Sequence, residues 1–552
     1  MLLFFGDYSD YLIFLNCIKN LNWRLTNEVM GDCGVAGVVA KDGSTNIVPY
    51  LYTMEIKLQR RGELSCGMLL YDSHRPKKLR RVVGAGLVGA VFKEHENLFG
   101  TQGIGHVRYA TSGPVSGAPS GRRMSPGAYQ RQVRKEAQPF FRDHEKRFKR
   151  FGFAFNGNLT NVDALTQLCI EQNYDLETKT DTELLKNVIA LSIYQETKDG
   201  TGPPDIDRVF NRVVNYLKLP TDKIHGSFAI LFLNAMGEFS ALADPYKNRP
   251  LCYAEDDKIF AVASETIALQ GIGLTNWKFV EPGQMLTYGK KGLELHDLIP
   301  SSFKAHCMFE WVYFSHVNSD SEAGPISLVR KRLGRELAVS EPLRGRENIV
   351  VAGAPETARV GADAFAKACG WDYIQEIFTT SIYGRGFTEP ERTRDAKMDA
   401  KYDVNIWAIK GKELVTVDDS IVRLGTLKRL AWLAYSAGAA GFHPRSMNPP
   451  TKHPCYYGID FPDPKELIAN RFTYSTIDEL ESKIAETLTL SIKERLKLSP
   501  EDKLPRPFSI TVKYQTHEGL LSAIKVPRDQ LCLACINGDY RIPFQESMRK
   551  TS

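Results

Sequence analysis

The sequence predicts two unlike halves, a layered α+β half followed by an α/β half built on a parallel sheet. Three observations carry this reading. From Cys33 to about Gly292, short apolar runs alternate with turn signals and a few amphipathic helices. From about Cys307 the pattern becomes a regular alternation of strand and helix. The apolar run 414–417 leads into two acids, a loop carrying Ser, Gly and Thr, and a helix with Leu427, Leu430, Ala431 and Ala434 at i, i+3, i+4 and i+7. A chain of 552 residues has room for about three domains of ~150–200 residues.

In chain order, residues 1–16 are apolar and aromatic but interrupted by Asp7 and Asp10. No basic region precedes them and no small-residue cleavage site follows, which argues against a secretory signal. Residues 1–32 read either as a leader removed from the chain or as an extension upstream of a start such as Met30. At Asp32-Cys33-Gly34 the first apolar run opens. A Cys followed by Gly at the mouth of a strand can present its sulfur at a chain end; it can equally be a small core residue. Strands are expected over 33–40, 66–71, 103–108, 152–156, 227–233, 239–243 and 259–263, and a helix over 181–193, where Leu184/Val188 and Leu185/Ile189 pair at i,i+4.

Four clusters punctuate this half: Arg60-Arg61-Gly62, Gly105 to Thr111, Asn156-Gly157-Asn158 and Ser264-Glu265-Thr266. Each has an ordinary explanation. Asn-Gly is a hairpin signal, an Arg at a strand end is commonly solvated or ion-paired, and Asp181 can be a helix N-cap. Residues 113–150 are rich in Arg and Lys and read as an inserted, solvated surface loop. In the second half, strands are expected over 347–351 and 373–377, with a helix from 357 through 368 between them.

A net charge of +6 suits anionic small substrates, and no stacking-aromatic module points to nucleic acid. No stretch reaches the ~18 apolar residues of a membrane span. Ten Cys are too sparse for a disulfide framework, which suggests a reducing compartment such as the cytoplasm. The Cys532-x-x-Cys535 pair reads alone as zinc, redox or nothing. With Cys307 and Cys455 it makes four thiols, a set that suits [4Fe–4S] or tetrahedral zinc. Cys17, Cys66, Cys169, Cys252 and Cys369 lie in apolar contexts and read as packing.

Taken together, Cys33-Gly34, Arg61-Gly62, Gly105–Thr111, Asn156–Asn158 and Asp181–Glu183 occur in the order of a class II glutamine amidotransferase domain, which the first half resembles. That family is an N-terminal-nucleophile glutaminase of stacked antiparallel sheets between helices. The resemblance implies that the mature chain begins at Cys33, whose α-amine serves as base while the thiol attacks the glutamine amide. It implies that Asn156 and the Gly157 N–H hold the oxyanion. Arg108 would bind the substrate carboxylate, with Thr111 also on the substrate. Asp181 would accept the α-ammonium, and Arg61 would support the pocket.

The stretch Asp418-Asp419-Ser420-Ile421-Val422-Arg423-Leu424-Gly425-Thr426 resembles the 5-phosphoribosyl-1-pyrophosphate (PRPP) signature of type I phosphoribosyltransferases. Backbone N–H groups and hydroxyls at a helix start can hold a phosphate, and carboxylates at a strand end a ribose diol or Mg²⁺. The resemblance implies PRPP contacts from Asp418, Asp419, Ser420, Ile421, Val422, Arg423, Gly425 and Thr426, and Mg²⁺ at Thr357, Asp418 and Asp419. The basic stretch 383–404, with Arg385, Arg392, Arg394, Lys397 and Lys401, would cover the pyrophosphate.

The two halves joined are similar to the PRPP amidotransferase family, over about residues 33–540. Its cluster-containing branch has Cys in the contexts of Cys307, Cys455, Cys532 and Cys535, which implies a structural [4Fe–4S]. The expected organisation is a leader at 1–32, a glutaminase domain at 33–300, a phosphoribosyltransferase domain at 301–505 and a C-terminal segment at 506–552. The resemblance also implies a dimer or tetramer and purine nucleotide inhibitors. The family has His at Arg60 and Gly at Leu424. An added Cβ at 424 conflicts with a close backbone approach to phosphate, and Gly425 is the residue expected to take over that role. That departure keeps two alternatives open: a paralogue aminating another phosphosugar, and a PRPP or nucleotide sensor without turnover.

Overall fold

The computed structural model describes residues 32–550, apart from 76, 110–125, 178–179, 201, 290, 376, 380–401, 460 and 462–463. The leader before Asp32, Thr111, Cys17 and most of the basic stretch 383–404 therefore lie outside the described residues.

The first half is a sandwich of two antiparallel sheets. Its strands are β1 (Gly34–Ala40), β2 (Ser65–Tyr71), β3 (Leu79–Ala85), β4 (Gln102–Arg108), β5 (Phe140–Arg142), β6 (Phe151–Leu159), β7 (Gly226–Asn234), β8 (Phe239–Ala243), β9 (Cys252–Glu255), β10 (Ile259–Ala263), β11 (Lys278–Phe279), β12 (Gln284–Gly289) and β13 (Gly292–Asp297). One sheet runs β11-β9-β10-β1-β4-β2-β3 and the other β13-β12-β8-β7-β6-β5. Burial on both faces explains the unbroken apolar runs. In β1, Val35 and Val39 pack toward Leu231 and Phe239 between the sheets. Ala36, Val38 and Ala40 pack toward Leu51 and Met54 of the Val48–Leu58 helix.

The helix expected over 181–193 runs Asp181–Thr197, and its N-cap is Thr180, whose Oγ1 accepts from the Glu183 N–H. Asp181 is therefore a first-turn residue rather than the cap. The region read as a basic surface loop is, from 126 onward, a helix (Pro126–Glu136) followed by the short strand β5. Its Arg131, Arg134 and Lys135 are exposed, but Val133, Glu136, Ala137 and Gln138 are buried. The apolar and amide residues there need the core, which a solvated loop cannot supply.

The second half is a parallel sheet in the order Asp372–Ile374, Ile349–Gly353, Glu413–Asp418, Gly441–Ser446, Ser509–Ile510. Val351, Val415 and Val417 face the Ile326–Val339 and Arg359–Cys369 helices. Val350, Ala352 and Leu414 face the Gly425–Ser436 and Ile477–Arg495 helices. Both expected fold classes are present. Residues near the end of the described chain return to the first half: Thr160 Oγ1 donates to the Pro543 carbonyl at 2.8 Å, and the Gln545 N–H donates to the Thr160 carbonyl at 3.0 Å. Among the described residues no helix is long and apolar enough to cross a membrane.

Candidate functional site

The β1–β4 register pairs Gly34 with Val107, which brings Cys33 opposite Arg108 at the ends of neighbouring strands. The Cys33 thiol is 5% exposed and donates to the Tyr109 carbonyl at 3.7 Å. Burial pushes it up to about 11, against the pull of that contact. With its nitrogen tied up in the Asp32 peptide, the thiol is protonated at neutral pH and a poor nucleophile.

Arg61 holds the Cys33 carbonyl from Nε at 2.8 Å. Its other nitrogens reach Asp32 at 2.6 Å, Glu265 at 2.8 Å and Glu310 at 2.8 Å. Gly62 beside it lets the chain pass close to β4, because a Cβ there would lie 2.4 Å from the Arg108 backbone. Arg249 completes the cluster, reaching Asp32 at 2.5 Å, Glu310 at 3.4 Å and the Tyr457 carbonyl at 3.1 Å. Three acids thus share two guanidiniums out of water. Burial raises Glu310 to about 8, and the Asp32 charge adds to this against the pull of Arg61. Burial also opposes the Asp32 charge, but Arg249 and then Arg61 hold Asp32 below the usual carboxylate range. Sequence reasoning missed Arg249, Glu310 and Asp32 as site residues; the Asp244-Pro245 dipeptide upstream of Arg249 is the one local signal that could have marked a built loop there. The Asp244 carboxylate accepts from the N–H groups of Tyr246, Asn248 and Arg249 at 2.8, 3.2 and 3.1 Å.

Asn156 is fully buried on β6, and neither its amide nitrogen nor its oxygen has a hydrogen-bond partner. A buried orphan amide costs about 1–3 kcal/mol unless a ligand answers it. Gly157 beside it has φ 146°, and a Cβ would lie 2.1 Å from the Ser227 carbonyl oxygen, so only glycine fits. Asn158 is occupied elsewhere, donating to the Tyr456 carbonyl at 2.9 Å. Arg108 Nη2 pairs with Glu136 at 2.9 Å, while Nη1 is buried without a partner. Asp181 accepts from the Leu159 N–H at 3.1 Å, and burial, working against that contact and the Arg108 charge, lifts it to about 6. Arg108 thus acts electrostatically on both Cys33 and Asp181. The structure brings Cys33, Arg61, Arg108, Asn156, Gly157 and Asp181 to one end of the sandwich.

Cys307 and Cys532 lie side by side on parallel bridging strands, and Cys455 and Cys535 lie within electrostatic reach of both. Tyr457 N–H points at Cys455 Sγ, 3.4 Å away, and Ala534 N–H and the Asn248 amide point at Cys532. Burial pushes all four thiols up. Four buried sulfurs, two of them receiving N–H groups, are a donor set that fits a thiolate-bound metal group. Among the described residues no group of three His, Cys, Asp or Glu side chains is drawn together for a single ion.

At the second site, Asp419 is buried and its carboxylate takes hydrogen bonds from Thr357 Oγ1 and, at 2.8 Å, Ser420 Oγ. Burial raises its pKa against both. Carboxylate and hydroxyl oxygens suit a hard cation such as Mg²⁺. Gly425 and Thr426 form the first turn of the Gly425–Ser436 helix. Arg423 turns away from the loop to pair with Glu466 at 2.8 Å, leaving its backbone rather than its guanidinium beside the loop. At Leu424 the backbone is not in the left-handed region that would call for glycine. Its φ is −98°, its side chain is buried with Ile421, Leu427 and Leu430, and Gly425 is not left-handed. The loop is a tight helix entry, not a positive-φ turn.

A family model described as a glutamine amidotransferase domain matches residues 122–271. The amidophosphoribosyltransferase of Rattus norvegicus is 30% identical over 546 residues, spanning 93% of this chain and 98% of the relative. That of Methanothermobacter thermautotrophicus is 28% identical, spanning 95% and 99%. The solved structure of a glutamine PRPP amidotransferase from B. subtilis, complexed with ADP and GMP, superposes with a TM-score of 0.72 at 28% identity, covering 93% of this chain and 98% of that one. With both chains matched nearly end to end, this chain belongs to the amidophosphoribosyltransferase family.

Proposed function

We propose that the two sites divide one reaction between them. The protein is a glutamine-dependent amidophosphoribosyltransferase, making 5-phosphoribosylamine from PRPP and glutamine in the first step of de novo purine biosynthesis. In our reading, Cys33 Sγ attacks the glutamine side-chain carbonyl, forming a thioester and releasing ammonia, and water then frees glutamate. The Asn156 amide and Gly157 N–H stabilise the oxyanion, Arg108 binds the α-carboxylate and Asp181 the α-ammonium. The observation that carries this is the orphan Asn156 amide, a buried donor waiting beside the nucleophile's strand end.

The leader is removed between Asp32 and Cys33, which gives Cys33 the free amine it needs as a base. In the second half, ammonia displaces pyrophosphate from C1 of PRPP. The loop N–H groups at Gly425 and Thr426 hold the 5-phosphate, and Asp418 and Asp419 the ribose. Mg²⁺ at Thr357, Asp418 and Asp419 would neutralise the leaving pyrophosphate. Cys307, Cys455, Cys532 and Cys535 would hold a [4Fe–4S] cluster that ties the C-terminal segment to the stretches around residues 307 and 455 and supplies no chemistry to the reaction. Purine nucleotides act as inhibitors, the chain assembles as a dimer or tetramer, and it works in the cytoplasm.

One assay tests the scheme. With glutamine, PRPP and Mg²⁺, glutamate and pyrophosphate should appear in equal amounts. Glutamate alone would indicate another acceptor, and neither product a sensor. N-terminal sequencing of active protein should begin at Cys33.

A further inference from the structure

Where β5 ends, β6 runs on without a strand neighbour on that side, because Phe140 is opposite Phe153 and nothing in β5 reaches Phe155. The Gln138 side chain takes the missing strand's place. Its Oε1 accepts from the Phe155 N–H at 2.7 Å and its Nε2 donates to the Phe155 carbonyl at 3.2 Å, as a peptide group would. His106 Nε2 reaches the same carbonyl from the opposite sheet at 3.1 Å. Two residues earlier, Glu136 Oε2 accepts from Arg108 Nη2 at 2.9 Å, and its Oε1 is itself held by Gln132 Nε2 at 2.8 Å.

The segment between these contacts cannot shift. Arg81 donates to the Ala137 carbonyl at 2.5 Å and to that of Pro139 at 2.7 Å. The Gln138 carbonyl oxygen fits only because Gly67 lacks a Cβ, which would lie 2.3 Å away. Glu136 and Gln138 are each 4% exposed.

We propose that Glu136 and Gln138 are two arms of one brace, positioning residues that serve opposite ends of bound glutamine. The proposal rests on the roles given above to Arg108 and Asn156. Glu136 holds one edge of the Arg108 guanidinium, so that the buried, unpartnered Nη1 stays presented to the α-carboxylate. Gln138 holds the backbone of Phe155, and through it the direction of Asn156 and of the Gly157 N–H. By strand alternation, that N–H points to the same edge as Phe155's. The first arm acts on a bond present in ground state and transition state alike. The second acts on a bond that strengthens only as the oxyanion forms.

The test is a kinetic split in the full-length mature enzyme. Glu136→Ala should raise the KM for glutamine ~10-fold with kcat nearly unchanged, and Gln138→Ala should lower kcat ~10-fold with KM nearly unchanged. Glu136→Gln, which keeps an acceptor oxygen, should recover most of the lost KM. 4-Aminobutanamide, which lacks the α-carboxylate, should be insensitive to Glu136→Ala but sensitive to Gln138→Ala. Amination of PRPP driven by added ammonia should proceed at the wild-type rate in both variants, which controls for folding. The brace is overturned if both variants shift kcat and KM together, if the shortened amide suffers as much from Glu136→Ala as glutamine does, or if the ammonia-driven reaction falls too. A normal KM in Arg108→Met would instead sink the role given to Arg108. A raised KM there beside a silent Glu136→Ala would sink the brace alone.

Discussion

The two sites meet the same problem in opposite ways. At the glutaminase end, the polar groups that matter are left unanswered: Asn156 has no partner for either amide atom, and Arg108 Nη1 none. Neighbours hold them in place, including the ion pairs of Arg61 and Arg249 with Glu265 and Glu310 and glycines that admit backbone at contact distance. At the phosphoribosyl end, the polar groups hold one another. Asp419 takes hydrogen bonds from Thr357 and Ser420, and Arg423 pairs with Glu466. The difference follows from the ligands. Glutamine is small and zwitterionic, so the protein must supply its charge complement in advance, where water cannot screen it. PRPP arrives with many negative charges, and a buried bare carboxylate would be costly before any ligand binds.

The sharpest break between the two ends is expected from Cys33→Ala. It should cut the glutamine-driven reaction by at least ~10³-fold while ammonia-driven amination stays within about twofold. A parallel loss of both would mean the ends are not separable. Next is the ion cluster. Arg61→Met leaves Asp32 and Glu310 to Arg249 alone and Glu265 with no guanidinium, and should cost about 3–5 kcal/mol in chemical denaturation of the unprocessed chain. Glu310→Gln removes the surplus acid there and should cost no more than about 1 kcal/mol.

At the other end, Asp419→Asn should lower glutamine-driven and ammonia-driven amination alike by ~100-fold, since it acts after ammonia is made. Equal rates with ammonia would move the acid out of the site. Leu424→Gly restores the family's residue, yet should destabilise by ~2–4 kcal/mol through the cavity it leaves and leave the KM for PRPP within about twofold. A lower KM would show that the Leu424 Cβ obstructs the approach of phosphate to the loop.

The smallest effect lies away from both ends. Glu55 is fully buried, both its carboxylate oxygens lack a side-chain partner, and burial lifts it well above its ordinary range against the His106 N–H. A raised folded-state pKa means stability present at pH 4 and progressively lost as pH rises above the usual carboxylate value. Glu55→Gln should therefore match the wild type near pH 4 and exceed its melting temperature by about 2 °C at pH 8.

How much of this could be read along the chain depended on distance in sequence. The strands buried on both faces, β1, β4, β6 and β7, announce themselves as apolar runs. Edge strands do not: β3 carries Arg80 and Arg81, and β13 is largely exposed, so neither shows the pattern. The helix Pro126–Glu136 hid within a basic stretch because the exposed cations Arg131, Arg134 and Lys135 outnumber Val133, the one buried apolar residue among its described side chains. The PRPP loop was legible because its acids, hydroxyls and helix start are consecutive.

Residue order alone determined the two fold classes, the cysteine at the mouth of its strand, the acid-hydroxyl loop and the four thiol contexts. In each, the chemistry needs groups that are near neighbours in the chain or a period that burial imposes. Folding alone decided how charge is balanced around Cys33. Arg61 finds Glu265 and Glu310 across 204 and 249 residues, and Arg249 finds Asp32 across 217. A guanidinium taken out of water must be met by acids, and a linear pattern of exposed-looking charges does not say which ones will be brought to it.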